Sequence, residues 1–465
     1  ERVDRFVGAV FAFQHDADSG DWNQVAGLQP FDAAQQTRFG VELAASEDEL
    51  WVGAIGTNGF AGSVYRFQRD GSGGWAAAEK LAAGDLQARD VFGASFAVEG
   101  DLAAVSAVNS DQGLGSVYVF NRDGSGSWIE DTELFTNPGS LDAVVDGRVD
   151  CADGDAAGFE CGDVDLASFV PVSDLGGGRG VNLNDIWGWT DPETGHEWAL
   201  VGRMDGTAFV DVTDPESPIV VATLPKTPGS TSAAWRDIKV RDNHAYIVAD
   251  GAGQHGMQVY DLNQLRSMDA SDGPVTVEPT ALYTDVASVH NIVVNEETGY
   301  AYAVGSNGGG ETCGGGLHMI DIRSPQEPTF AGCFADASTG RQKTGYSHDA
   351  QCIVYNGPDA EYQGREICIG ANETALSVAD VTDKDNPVAV SMATYPNVGY
   401  THQGWFDEEH RYFNMNDELD EVQGLVDHTR TLVWDLSDLD EPILVKEHRG
   451  TQPSIEHNLY INGDL

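Results

Sequence analysis

Short apolar stretches alternate with polar, glycine-rich turns along nearly the whole chain. The stretch "GSVYRFQRDGSGGW" from Gly62 is representative: an apolar strand, a D-G-S-G turn, and a tryptophan that opens the next strand. Period-two runs bounded by Gly, Asp, Asn and Pro read as strands joined by hairpins. Few stretches hold the helical period, and the 55 glycines fit many tight turns. The pattern predicts an all-β protein.

The runs recur in two sets. In the first third, "FGVELAASEDELWVGAIGTNGFAGSVYRFQRDGSGGWAAAEKL" from Phe39 matches "FGASFAVEGDLAAVSAVNSDQGLGSVYVFNRDGSGSWIEDTEL" from Phe92. Each copy predicts four strands, and "VGAVFAFQHDADSGDW" from Val7 is the second half of an earlier copy. These copies resemble FG-GAP repeats, the blades of integrin-type β-propellers. Many such repeats carry an Asp-rich calcium loop, but "SEDEL" and "EGDL" at that place are too short for the spacing a calcium loop needs.

The second set begins each unit with a polar or histidine cluster running into an apolar strand: "LNDIWGW", "WRDIKV", "VHNIVV", "SHDAQCIV", "THQGWF" and "EHNLYI". Aligned on Asp185, Asp237, His290, His348, His402 and His457, the units lie 52 to 58 residues apart. A strand ending in aspartate follows in each full unit, as in "AFVDVTDPESP" and "SVADVTDKDNP", where short polar side chains and proline set a turn. Four strands per unit of this length predict propeller blades. The expected fold is thus a β-propeller of four-stranded antiparallel blades, six to eight in number, possible as two propeller segments. FG-GAP-like blades fill 1–136, a Gly/Asp-rich connection 137–180, and the second repeat set 181–465. Within the connection, "VDLASFVPV" from Val164 reads as a strand.

From about Cys151 onward the chain resembles the choice-of-anchor B family, whose propeller contains LVIVD repeats. The resemblance is carried by "NDIWGWTDPETGHEWALVG", "DGTAFVDVTDP", "WRDIKVRDNHAYIV", "HNIVVNEETGYAYAVG", "SHDAQC", "THQGWF", "NDELDE" and "EHNLY", over about two thirds of the chain. It implies a secreted or surface-anchored bacterial protein. The family pattern runs on past "EHNLY" with further strands, and both ends of the sequence read as cut from something longer. The ring is therefore expected to close through residues beyond the sequence, or through "VDLASFVPV" and the N-terminal blades.

Charge narrows the partners. The chain has 75 acidic against 25 basic residues, a formal net charge of −50, and only six lysines. Such a surface repels nucleic acid and anionic lipid. Disorder does not fit 41% apolar residues and ten tryptophans. A calcium-loaded surface and a salt-rich habitat remain, and low lysine with acids spread over the whole chain favours the habitat. The six cysteines fall in local pairs, which fits disulfides and an oxidising compartment; free buried thiols are the alternative. No apolar run approaches the length needed to cross a bilayer.

Equivalent positions of successive blades form a ring at one mouth of a propeller. His290, His348, His402 and His457 with Asp237 and Asp185 are sensible ligands there for a divalent transition metal. The competing reading is a hydrogen-bonded network that pegs one blade to the next. Calcium at acidic loops (Asp150, Asp153 and Asp155, or Asn416 to Glu421) competes with plain solvated acid clusters. "GSNGGGETCGGG" from Gly305 lacks a following helix and is no phosphate loop, and no GxSxG elbow is present. The expected function is a non-enzymatic envelope module for binding a protein partner or joining a complex. The alternative is a metal-dependent hydrolase or oxidoreductase using the histidine ring. Trp405 is expected to pack between blades.

Overall fold

The computed structural model describes residues 7–32, 36–46, 48–71, 74–136 and 141–463. Glu47 of "SEDEL", Ser72 and Gly73 of the first D-G-S-G turn, and the start of the connection at 137–140 lie outside them. The chain divides into two compact units, 1–141 with 178–181, and 142–177 with 182–465.

Nearly all regular structure is antiparallel sheet, with strands hydrogen-bonded in sequence order. The first unit holds a hairpin, Val10–His15 with Trp22–Leu28, and two four-stranded sheets that begin at Phe39–Ala45 and Phe92–Glu99. The two sheets are stapled at Glu49. Its carboxylate accepts from Arg66 of its own sheet at 2.7 Å and from Arg122 of the next at 2.6 Å. Trp51 packs edge-on against Trp128, with ring centroids 4.9 Å apart. Gly62 has φ +95°, and a Cβ there would lie 2.1 Å from the Phe92 carbonyl oxygen. Only glycine lets the two blades approach at that turn.

The second unit is built of five blades, each a sheet of four strands in sequence order. Their inner strands are Leu183–Thr190, Trp235–Arg241, Asn291–Asn295, Asp349–Val354 and Thr401–Phe406. Successive inner strands lie side by side, as a β-propeller requires. The first blade gains a fifth strand, Val275–Thr276, lent by the second. Each third strand ends at an aspartate whose carboxylate accepts the N–H two residues on: Asp211, Asp261, Asp321, Asp380 and Asp435, at 2.9 to 3.0 Å. This is the turn expected from "DVTDP". Between blades the core is apolar. Trp198, Leu200, Phe209, Ile238, Ile247 and Tyr260 fill the first interface.

Two expected strands are not strands. "VDLASFVPV" makes only two isolated bridges, Val149 with Leu166 and Val144 with Phe169. Leu175 and Val170 pack instead on Ala208 and Val210, the face of the first blade turned away from the second. The run is apolar because it covers a sheet face, and it adds no ladder. "EHNLYI" is likewise irregular. It docks on the fifth inner strand through Gln403, whose Nε2 donates to the Leu459 carbonyl and whose Oε1 accepts from the Leu459 N–H, both at 2.9 Å. Tyr460 lies 5.0 Å from Trp405 and 6.0 Å from Trp187 of the first blade, ring centre to ring centre. Trp405 thus packs on the closing segment.

All six cysteines are paired, as Cys151–Cys161, Cys313–Cys333 and Cys352–Cys368. The last pair lies directly across neighbouring strands. No helix among the described residues is long and apolar enough to cross a membrane.

Candidate functional site

Four of the six expected ring residues form a continuous row. The ring centroids of His290 and His348 are 4.1 Å apart, those of His348 and His402 4.3 Å, and those of His402 and His457 4.5 Å. His348 and His402 are buried, while His290 is half-buried and His457 exposed. His290 and His348 sit at the starts of the third and fourth inner strands. Their N–H groups bond the last residues of the neighbouring strand, Val304 at 3.1 Å and Ala371 at 2.9 Å. His402 is the extra residue of a β-bulge, since Thr401 faces Asp417 while Gln403 faces Asn416. Bulges re-aim side chains. This one turns His402 into the row.

One nitrogen of each inner ring is spoken for. His348 Nδ1 lies 3.1 Å from the His402 carbonyl oxygen, and His402 Nδ1 lies 2.8 Å from that of His457. A carbonyl only accepts, so both rings carry their proton on Nδ1. His290 Nδ1 lies 3.0 Å from Asp250. Burial, then the neighbouring His290 and His402, hold His348 well below the usual histidine range. Burial, then His457, hold His402 at about 3. Both rings are therefore neutral at physiological pH, with Nε2 a free lone pair. At Asp250 burial opposes the charge, but the His290 and Asn307 hydrogen bonds outweigh it and hold the carboxyl at about 2.

Glu418 completes the cluster. Its N–H bonds Tyr400 at 3.0 Å, which carries its side chain across from His402, and a carboxylate oxygen lies 3.8 Å from His402 Nε2. His348, His402 and Glu418 place ligand atoms within 4.8 Å of one another. Among the described residues two other groups do so. Glu311, Cys313 and Cys333 include a disulfide, which removes the thiolates. In Asp359, Asp438 and Asp440, Asp359 already accepts the Leu439 and Glu361 N–H groups. Glu418 belongs to "NDELDE", which the sequence offers only as an acidic run. Pairing "THQGWF" with "YFNMND" as a hairpin is the signal that places it opposite the histidine. Its neighbours are committed: Asp417 accepts from Gly399, Tyr400 and Tyr395, and Asp420 binds the buried Arg430 at 2.6 Å. At the other acidic loop, Asp150 lies 3.4 Å from Arg148, and Asp155 accepts from Gly158.

Asp185 and Asp237 lie in a different part of the axis. Asp185 accepts the Ile238 N–H at 2.8 Å, and Asp237 accepts that of Ile292 at 2.6 Å. Gln403 does the same to Leu459, so these side chains peg each blade to the next. They correspond to Asn291, Asp349, Gln403 and Asn458, one residue after each histidine; the histidine position itself is Asn184 and Arg236 in the first two blades. Side chains alternate along a strand, so one residue changes the direction in which the carboxylate points. Asp237 also binds Lys239 at 2.5 Å, and the ammonium lies 4.4 Å from the Trp187 ring centre. Burial works against the Lys239 charge, but Asp237, Tyr460 and Asp185 outweigh it and raise its pKa. Burial, then Asp237, push Asp185 upward. Burial, then Asp237, push Asp349 up to about 7, partly offset by Lys239. One ammonium thus faces more carboxylates than it can neutralise. Toward the C-terminal ends of the inner strands, a cavity of about 310 Å³ is lined by Trp187, Lys239, Asp349, Trp405 and Tyr460.

The comparisons with known proteins add little to this geometry. The FG-GAP repeat matches residues 75–120, from the last strand of one N-terminal copy into the third strand of the next. No curated protein matches the chain. Similar solved structures include a functionally unknown protein from Desulfotomaculum acetoxidans (14% identity, 58% of this chain and 72% of that one, TM-score 0.38). An extracellular domain from B. thetaiotaomicron aligns at 12% identity over 94% of this chain and 59% of that one, with TM-score 0.38. This chain thus spans about three fifths of that domain's length. A hypothetical selenium-binding protein from Sulfolobus tokodaii aligns at 11% identity over 76% and 75%, with TM-score 0.36. At these scores none of them bears on function.

Proposed function

We propose that this chain is a secreted or surface-anchored β-propeller of the choice-of-anchor B type, with LVIVD repeats in its larger unit. It acts as a non-enzymatic module that binds a protein partner or joins an envelope complex. The observation that carries the reading is the filled axis. Lys239 is held among Asp237, Asp185 and Asp349, with Trp187 and Tyr460 beside it, so the inner strands enclose a salt-bridged knot. The cavity that the knot residues line, about 310 Å³, is at the lower end of the range for small-molecule sites, about 300–1,000 Å³. What such a propeller offers a partner is a rigid set of exposed loops. Three disulfides support an oxidising, extracytoplasmic location.

A metal-dependent hydrolase or oxidoreductase is the second reading, favoured by one feature, the His348, His402 and Glu418 grouping. Surface display is tested on intact native cells with a membrane-impermeant amine label, followed by thiol alkylation before and after reduction. The expected result is a labelled chain whose six cysteines alkylate only after reduction. A chain shielded from the label, with cysteines that alkylate directly, overturns the extracytoplasmic reading.

A further inference from the structure

We propose that His348, His402 and Glu418 form a binding site for one divalent first-row transition-metal ion, bridging the fourth and fifth blades. The site is independent of the partner-binding reading above.

Three observations converge. First, the three ligand atoms already lie within 4.8 Å of one another. Metal bonds of about 2.0–2.2 Å require the ligand atoms to draw in by little more than an ångström. Glu418 is free to supply that movement. Its side chain is 27% exposed, and apart from the 3.8 Å approach to His402 its carboxylate has no hydrogen bond among the described residues. The other carboxylates of the same run, Asp417 and Asp420, are tied to N–H donors and to Arg430.

Second, the imidazoles are oriented as metal ligands are. Metal-binding histidines characteristically donate the far ring N–H to a carbonyl or carboxylate, which fixes the tautomer and presents the other nitrogen. His348 donates Nδ1–H to the His402 carbonyl, and His402 donates to that of His457. His290, 4.1 Å from His348, repeats the arrangement with Asp250 as its partner. A purely structural peg needs only the Nδ1 bond. It gives no reason for the two buried rings to gather beside a carboxylate, with His402 Nε2 3.8 Å from it.

Third, the bulge at His402 interrupts the ladder of the fifth blade at the inner-strand residue that reaches the cluster. Two imidazoles and a carboxylate suit zinc, iron(II), nickel or copper(II), whereas calcium and magnesium take oxygen ligands. Three protein ligands leave a coordination position open.

The test uses tag-free full chain, stripped with chelator and titrated with Co²⁺ in excess Mg²⁺, which occupies exposed carboxylates. Binding is read from the visible absorption of cobalt bound to nitrogen and oxygen ligands, and stoichiometry from elemental analysis. His348→Asn keeps a donor at the Nδ1 position and removes the Nε2 ligand, and Glu418→Gln removes the charge at a half-exposed site. The expected result is one Co²⁺ per wild-type chain, with affinity at least tenfold weaker in each variant and apo melting temperatures close to wild type. His457→Asn, which leaves the bridging carbonyl in place, binds like wild type. No cobalt spectrum in wild type, or equal affinity in H348N, E418Q and wild type, overturns the proposal. Should H348N fail to fold, E418Q alone decides.

Discussion

At the residue scale, the buried His255, away from the row, divides its two nitrogens between different partners. It donates Nδ1–H to the Gly256 carbonyl at 2.9 Å, and its Nε2 accepts from the Arg236 guanidinium at 3.0 Å. Burial, then Arg236, hold it at about 4 against an ordinary 6.5. The unfolded chain therefore binds a proton that the folded chain refuses between those values. Its contribution to stability is complete above about 6.5 and is lost as pH falls toward 4. His255→Gln is expected to flatten the fall in unfolding free energy over that window by about one proton, or about 1.4 kcal/mol per pH unit, in urea melts at successive pH values. Equal slopes in the two proteins would show that His255 is already protonated.

The histidine positions were legible from the repeat because each leads an apolar strand. The aspartates of the first two blades were not. Asn184 and Arg236 stand where later blades have histidine, so aligning on the next acidic residue shifts Asp185 and Asp237 by one position. Nothing in the sequence marks which side of the strand faces the row. Glu418 was hidden for a related reason: an acidic run in a chain this acidic says little until the hairpin register is known.

At the element scale, the inner strands are joined by side chains that reach the next backbone. Asp237 accepts from Ile292 and holds Lys239, and its side chain is 9% exposed. Lys239 is the cation that Asp237, Asp185 and Asp349 share, and removing it leaves buried negative charge uncompensated, at a cost of about 3–5 kcal/mol. Lys239→Met is expected to destabilise by that order in chemical denaturation, and the double change Asp237→Ala with Lys239→Met to recover part of the loss. No recovery would mean that the lost Ile292 bond outweighs the relief of carboxylate repulsion. The strand pattern was readable wherever an apolar run also pairs on both sides. It failed for "VDLASFVPV" and "EHNLYI", whose apolar residues cover a blade face or fill the axis. Alternating hydrophobicity reports burial, and hydrogen-bond pairing is a separate condition.

At the scale of the whole molecule, three disulfides and a charge of −50 dominate. The acids sit mostly outside the blade interfaces and repel one another. Raising ionic strength from about 0.1 M to about 1 M shortens the screening length from about 10 Å to about 3 Å. We expect melting temperature, followed by calorimetry, to rise across that range. A flat or falling profile would count against adaptation to a salt-rich habitat. The architecture itself was legible from the repeat length and turn chemistry. What closes the larger unit was not: Tyr460 bridging Trp405 and Trp187 comes from an irregular segment.

The tautomer of two rings, His348 and His402, decides whether a ligand set exists. The most direct measurement is a long-range nitrogen–proton correlation spectrum of protein labelled with nitrogen-15 histidine, assigned with H348N and His402→Asn. At neutral pH, without metal, His348 and His402 are predicted to show the neutral form with the proton on Nδ1, and their Nε2 signals to move on adding zinc. Signals of the Nε2–H tautomer would contradict the hydrogen bonds to the His402 and His457 carbonyls, and signals of imidazolium would contradict the free Nε2 lone pairs that the ligand set needs.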